Sequence, residues 1–201
     1  LEYVNLKLEN INFENTKFIS KSKFSIEVDK KFRVKNTSIE SDIEIDNLSY
    51  DISPNIKNYF INLNEKILIK NHKLKLDYNN REISIIGNGK IKFNKIFETI
   101  EYSFNKTDKE INFSSDSLIQ SISLRPQKFL HKFFSEIDDK IDLQSNKFNL
   151  NYNNNNFTIS GTGKIKIEKE YEKINYSFLK NKKKINFDID LDLNNSRLKI
   201  D

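Results

Sequence analysis

The stretch from Lys73 to Phe93, which reads KLKLDYNNREISIIGNGKIKF, decides the fold class of this 201-residue chain. Apolar and polar residues alternate at Leu74-x-Leu76-x-Tyr78, at Ile83-x-Ile85 and at Ile91-x-Phe93. A period of two is typical of β-strands with one apolar and one solvated face. Because the turn formers Asn79-Asn80-Arg81-Glu82 separate the first two runs, the stretch predicts short antiparallel strands joined by hairpins.

The same stretch recurs 74 residues later without a gap. Lys73 to Asp116 aligns with Lys147 to Asp190, so that Gly87-x-Gly89-Lys90-Ile91-Lys92 matches Gly161-x-Gly163-Lys164-Ile165-Lys166. Tyr102-Ser103-Phe104 also matches Tyr176-Ser177-Phe178. All four glycines of the chain occupy this one repeated position, which composition alone does not explain. The offset predicts tandem units: a truncated first unit at 1–47, a second at 48–121 and a third at 122–201.

One segment in each unit has a different period. From Pro126 to Ile137 the apolar residues follow a helical stripe, with proline at a position that the first turn of a helix tolerates. Pro54 to Leu63 is a weaker equivalent. The predicted fold is therefore mainly β: tandem units of short antiparallel strands that form a curved, elongated sheet, a β-groove, with one short amphipathic helix per unit.

Composition restricts the class of protein. Leu, Ile, Val and Phe supply 65 of the 201 residues, enough for a folded chain. Lys, Ile and Asn supply 88, which indicates A/T-rich coding bias, so the net charge of +5 is weak support for nucleic-acid binding. The two signs of charge are interspersed, as on a solvated surface. We expect no nucleic-acid partner.

Cysteine and methionine are among the residue types absent from the sequence. Without cysteine there are no disulfides and no thiolate metal sites. Without an initiator methionine, we expect the chain to be an internal piece of a longer protein. Its longest apolar runs are triplets such as Ile67-Leu68-Ile69, much shorter than a membrane-spanning helix. Any membrane anchor or export signal would lie before the first residue.

Candidate chemical sites are weak. His72 and His131 stand apart from acidic clusters at ligand spacing, and Asp188-x-Asp190-x-Asp192 lacks the later residues of a calcium loop. Lys180 to Lys184 reads as a solvated turn. Gly87-x-Gly89 lacks the third glycine of a phosphate loop and is interpreted as a twist or bulge between strands. We therefore expect no catalytic residues, no metal site and no cofactor, and the chain is not predicted to be an enzyme.

The apolar face of such a sheet must be covered, and two arrangements do this. A closed sandwich buries it within the protein, whereas an open trough leaves it for an apolar ligand, and period-two alternation does not distinguish them. The closed form would fit a structural or adhesive cell-surface β-repeat protein. In the open form, the predicted lining residues are Ile85, Ile91, Phe93, Ile100, Tyr102, Phe104, Ile111 and Phe113, with Ile159, Ile165, Ile167, Ile174, Tyr176, Phe178, Ile185 and Phe187 in the third unit.

A family resemblance favours the open form. The tandem units, the Gly-x-Gly-Lys-Ile hairpin before the Tyr-Ser-Phe strand, and the proline-led helix with Phe133-Phe134 resemble the repeats of the AsmA-like superfamily. Within it, they are most similar to the large YhdP-type proteins of Gram-negative bacteria, over most of Asn47 to Asp192. The resemblance implies a periplasmic protein anchored in the inner membrane by an N-terminal helix. Its β-groove would hold phospholipid acyl chains and conduct phospholipid between the inner and outer membranes.

Overall fold

A computed structural model describes residues 10–126, 139–167, 169–182 and 184–194. These residues form twelve antiparallel strands and one short helix, α1, so the prediction of a mainly β chain is confirmed. The strands are β1 (Ile11–Asn12), β2 (Lys17–Val28), β3 (Val34–Asp46), β4 (Leu48–Asp51), β5 (Lys66–Asn79), β6 (Glu82–Lys92), β7 (Glu98–Lys106), β8 (Ile111–Leu124), β9 (Ile141–Asn153), β10 (Asn156–Lys166), β11 (Tyr171–Lys180) and β12 (Ile185–Asp192).

All twelve strands belong to one curved sheet that does not close on itself. From β5 to β12, each strand pairs with the next strand in sequence. At the other side, β5 is long enough to pair with two strands: Lys66 to Ile69 pair with β4, and His72 to Asn79 pair with β3. β2 pairs with β3, and β1 pairs with β4. The sheet is therefore an extended meander with β2 near one side and β12 at the other.

The predicted hairpin after Tyr78 is present. Only Asn80 and Arg81 separate β5 from β6, and both have positive φ, 46° and 76°. Two consecutive left-handed residues fit the twist of a two-residue hairpin, and asparagine tolerates this conformation well. The corresponding turn in the third predicted unit contains Asn154, with φ of 49°. Local turn chemistry thus sets the register of these strand pairs.

The register separates the residues into two faces, because side chains of directly opposite residues lie on the same side of the sheet. Ile85 lies opposite Leu76 on β5 and Phe104 on β7, and Phe104 lies opposite Phe113 on β8. We call the side that carries these residues the apolar face. The intervening residues, such as the opposed pair Ser84 and Asn105, form the polar face.

A bulge changes the alternation within β5. Its register against β6 shifts between Lys70 and Lys73, where Asn71 has a positive φ of 49°. Because of this extra residue, Ile69 and Leu74 both lie on the apolar face although an odd number of positions separates them. The irregularity lies in β5, opposite the middle of β6, whereas Gly87 and Gly89 themselves continue β6 as a regular strand.

β9 has the same irregularity against β10. The register shifts between Thr162 and Lys164, and Ser145 has a positive φ of 51°. Asn71 and Ser145 are 74 positions apart, as are the boundaries of β6 and β10.

Few side chains are fully buried. The main cluster of buried apolar residues in the described part contains Ile141, Ile165, Ile167 and Ile174. The sheet is unclosed, so the closed sandwich is not the form that it adopts.

The helical segments differ from the prediction. α1 covers only Pro54–Lys57, because the residues after it extend along the end of β8 instead. Tyr59 accepts a hydrogen bond from the backbone N–H of Arg125, and the N–H of Ile61 donates to Ser123 O. Of the second predicted helix, from Pro126 to Ile137, all but Pro126 lies outside the described residues. The predicted unit boundary at Ser121 falls within β8.

Candidate functional site

Large apolar side chains line up across the middle of the apolar face. One row runs from Ile85 through Phe104 and Phe113 to Tyr152 and Phe157, on five consecutive strands from β6 to β10. Each step is a direct cross-strand pair, the closest approach that side chains make across a sheet. The row passes from the second predicted unit to the third without a polar interruption.

A second row lies beside the first and includes one small polar residue, Ser115. It runs from Tyr102 through Ser115 to Leu150, Ile159 and Phe178. Phe178 then lies opposite Phe187, and the two rings meet edge to face with centroids 5.4 Å apart. The two rows together make a continuous apolar surface from β6 to β12.

The structure brings the predicted lining residues to one face. Fourteen of the sixteen lie in strands at apolar-face positions: Ile85, Ile91, Ile100, Tyr102, Phe104, Ile111, Phe113, Ile159, Ile165, Ile174, Tyr176, Phe178, Ile185 and Phe187. Phe93 and Ile167 follow directly after the ends of β6 and β10. Ile165, Ile167 and Ile174 are buried in the cluster described above, so neighbouring side chains cover them and they do not form exposed lining.

Sequence reasoning missed part of this face. Leu74, Leu76 and Tyr78 on β5 lie opposite Gly87, Ile85 and Ile83, and Ile39 and Ile43 on β3 continue the face outward. Phe148 and Leu150 on β9 also belong to it. The alternation of Leu74-x-Leu76-x-Tyr78 was a sufficient signal, because it continues the period of β6 across the hairpin.

Glycines make room for the tyrosines of this face. Gly87 lies directly opposite Tyr102, and a Cβ at Gly87 would overlap the Tyr102 ring. Gly161 and Tyr176 have the same arrangement 74 positions later, in the third predicted unit. Each tyrosine ring can therefore lie over the backbone of the neighbouring strand instead of standing away from the sheet. Burial raises the pKa of both phenols.

His72 contacts one of these tyrosines. Its Nε2 lies 2.8 Å from the hydroxyl of Tyr102, and the rings stack with centroids 5.4 Å apart. His72 is buried beside Gly89, and burial lowers its pKa. In the third predicted unit, Asn146 takes the corresponding place beside Gly163. His72 therefore has a packing role on the apolar face, while His131 lies outside the described residues.

Two buried glutamates stand at one end of the face. Glu98 and Glu172 are only 3% and 1% exposed. A carboxylate oxygen of Glu98 accepts the backbone N–H of Gln120 at 2.8 Å, and Glu172 accepts that of Asn194 at 3.0 Å. Burial raises the pKa of Glu98, and the hydrogen bond from Gln120 opposes this shift. Both carboxylates stabilise strand ends where the regular ladder is interrupted.

The polar face has a different chemistry. Asn149 donates to Asp116 at 2.7 Å, and the hydroxyls of Ser103 and Ser114 lie 2.7 Å apart. Two shallow depressions of about 400 and 780 Å³ are lined mainly by polar-face residues, among them Lys147 in the first and Asp42 in the second. Neither depression is lined mainly by residues of the apolar face.

The acidic and lysine-rich stretches considered as sites in the sequence lie on and beside β12. Asp188, Asp190 and Asp192 are on the polar face of β12 and are exposed. Lys180 and Lys184 flank the turn between β11 and β12, and Lys183 is outside the described residues. In the described part of the chain, no group of three or more acidic, histidine or cysteine side chains is placed to hold a metal ion.

The described helices include none that is both long and apolar enough to cross a membrane. In comparisons with known proteins, no family model, no curated protein and no solved structure matches the chain.

Proposed function

We propose that the apolar face binds phospholipid acyl chains and that the chain is a segment of a β-groove that conducts phospholipid between the inner and outer membranes. The observation that supports this most directly is the unbroken row from Ile85 to Phe157, which crosses five strands of an unclosed sheet. The polar face behind it keeps the protein hydrated.

The energetics of lipid movement favour such a surface. Exposure of about fifteen methylenes to water costs roughly 12 kcal/mol, at ~0.8 kcal/mol per CH₂. A continuous apolar strip removes most of this barrier, because the acyl chain exchanges one set of Ile and Phe contacts for the next. Ten strands lie side by side from β2 to β12, because β4 continues the line of β3 beside β5. At ~4.8 Å between neighbouring strands, they extend over about 43 Å. The face is thus longer than the roughly 15 Å half-thickness of a bilayer core.

We further propose that the sheet consists of tandem units of about 74 residues, as in the β-groove of AsmA-like, YhdP-type proteins. Four features that recur 74 positions apart support a structural repeat. They are the bulges at Asn71 and Ser145, the tyrosine rings that lie over Gly87 and Gly161, the buried carboxylates of Glu98 and Glu172, and the bounds of β6 and β10. In this proposal the protein is periplasmic and is held in the inner membrane by a helix outside the present chain, with outer-membrane lipid homeostasis as its role.

Charged substitutions test the function. Phe104→Glu and Phe178→Glu, one at a time and together, place carboxylates in the two apolar rows. We expect the wild-type chain to copurify with phospholipid and to transfer it between vesicles, the double variant to lose most of both, and each single variant to be intermediate. Ser103→Glu adds the same charge to the polar face one position away and should bind lipid like the wild type. Unimpaired lipid binding and transfer by a double variant with wild-type circular dichroism would overturn the proposal.

A further inference from the structure

The two outermost long strands of the sheet, β2 and β12, are unusually exposed. Every residue of β2 and all but one residue of β12 are exposed, whereas the strands between them are largely half-buried. The exposure includes apolar-face aromatics: Phe24 on β2 is 71% exposed and Phe187 on β12 is 69% exposed. Among the described residues, β2 pairs only with β3, and β12 only with β11.

The topology makes these two edges compatible. The path from β2 through β3 and β5 to β12 leaves out β4 and contains ten strands. Each is antiparallel to its neighbour, so β2 and β12 run in opposite directions. A second copy placed beside β12 in the same orientation therefore presents its β2 as an antiparallel partner. The apolar faces of the two copies then lie on the same side, and the sheet continues across the junction.

The polar faces of the two edges carry opposite charges. β2 has Lys21 and Lys23 there, and β12 has Asp188 and Asp190. Edge lysines are a common protection against unwanted strand pairing. However, two edges that carried the same sign would repel each other, whereas these two attract. The charge pattern thus favours pairing between unlike edges.

We propose that β2 of one copy pairs with β12 of a second copy and joins the two molecules end to end. One register satisfies both faces: Phe24 lies opposite Phe187, Lys21 opposite Asp190 and Lys23 opposite Asp188. In the same register, Glu27 near the end of β2 lies opposite Lys184, which precedes β12. The Phe24 and Phe187 pair reproduces the pair that Phe178 and Phe187 form within one molecule.

The junction also extends a pattern of charges that is present in each molecule. On the polar face, Lys21 lies opposite Asp42 of β3, and Lys23 lies opposite Glu40. In the assembly, each of these lysines stands between an acidic residue of its own copy and an aspartate of the neighbour. Because the two edges differ, the contact is heterologous, and each added copy leaves one β2 edge and one β12 edge free for another copy until the assembly closes into a ring or continues as a filament.

Analytical ultracentrifugation of the lipid-free chain at low salt tests this proposal. We expect the average mass to rise above 23.8 kDa as concentration increases, and to fall when salt screens the junction. The variants K21E/K23E and D188K/D190K each place like charges opposite each other, which should weaken association roughly tenfold or more. An equimolar mixture of these two variants restores opposite charges at every mixed junction and should associate like the wild type.

K164E/K173E is the matched control, because Lys164 and Lys173 oppose each other on the polar face inside the sheet. It changes the net charge as much as K21E/K23E does and should associate normally. Three results would each overturn the proposal: a wild-type chain that stays monomeric at all concentrations, equal weakening by the control, or no recovery in the mixture. The measurement contains no lipid, so its failure would not bear on lipid binding by the apolar face.

Discussion

At the scale of single residues, the apolar face depends on how closely aromatic rings approach the sheet. Tyr102 can lie flat because Gly87 has no side chain, and its ring also stacks on Phe113 with centroids 6.2 Å apart. In the proposed function, a flat ring would give a smooth surface along which an acyl chain slides. The repeated glycines therefore serve packing across strands rather than a turn.

Gly87→Ala tests this packing. The added methyl group must displace the Tyr102 ring, and we expect a loss of about 1–3 kcal/mol in the free energy of unfolding, measured by urea denaturation. In a Tyr102→Leu background the same substitution should cost clearly less, because the ring is gone. Equal costs in both backgrounds would show that Tyr102 is not the reason for the glycine.

His72 gives the molecule a dependence on pH. Burial places its pKa in the folded state below the ordinary value of 6.5, so the unfolded chain binds the proton more readily. The stability that the neutral imidazole contributes is present above pH 6.5 and is lost as the pH falls toward the lower folded pKa. His72→Asn introduces the residue found at the equivalent position 146 and removes this titration.

We therefore expect the wild-type chain to lose more stability than His72→Asn between pH 7.5 and pH 5, measured as the urea midpoint at each pH. Glu98 has the opposite effect on stability, because its raised pKa favours the protonated folded form at low pH. Glu98 is present in both the wild type and the His72→Asn variant, so its effect cancels in the comparison. Parallel pH profiles for the two chains would contradict this role of His72.

At the scale of elements, the bulges keep the apolar face continuous along each long strand. Without the extra residue near Asn71, Ile67 and Ile69 would point to the polar face while Leu74 and Leu76 pointed to the apolar one. Ser145 is the corresponding residue of β9. Its backbone is in the left-handed conformation, which is unfavourable for residues other than glycine.

Ser145→Gly should relieve this cost and stabilise the protein by up to about 1 kcal/mol. Asn71→Gly should gain less, because asparagine already tolerates positive φ. Thermal unfolding of the two variants provides the comparison. A destabilised Ser145→Gly protein, or an equal gain at both positions, would argue against bulge strain at Ser145.

The strands and hairpins could be predicted from sequence because their signals are local. Alternation at Leu74-x-Leu76-x-Tyr78 and the Asn80-Arg81 turn determine both a face and a register within a few residues. The length of α1 could not be predicted in this way. The segment after Lys57 leaves the helical path because Ile61 and Tyr59 bond to Ser123 and Arg125, more than sixty positions away.

At the scale of the whole molecule, an unclosed sheet has consequences for how it unfolds. Each strand is stabilised mainly by its two neighbours, and the cluster around Ile174 supports β9 to β12 rather than β5 and β6. In the proposed array of tandem units, stability is expected to be close to a sum of local terms, as in repeat proteins. Whether the sheet closes could not be deduced from alternation, since inward-facing residues have the same period in an open and a closed sheet.

Ile174→Ala should therefore unfold the molecule unevenly. The cavity costs about 2–5 kcal/mol, which we expect to appear as faster hydrogen exchange in β10, β11 and β12. Amides of β5 and β6 should keep nearly wild-type protection. A uniform loss of protection across the sheet would indicate one cooperative body and would contradict the proposed tandem units.

The central claim is that lipid lies on the apolar face, and site-specific photocrosslinking tests it most directly. A benzophenone side chain at position 113 replaces Phe113 in the middle of the apolar row, while one at position 118 replaces Leu118, an exposed apolar residue on the polar face of the same strand. With phospholipid vesicles as the lipid source, we predict strong lipid adducts at position 113 and few at position 118. Equal labelling at the two positions, or labelling at position 118 alone, would contradict the account.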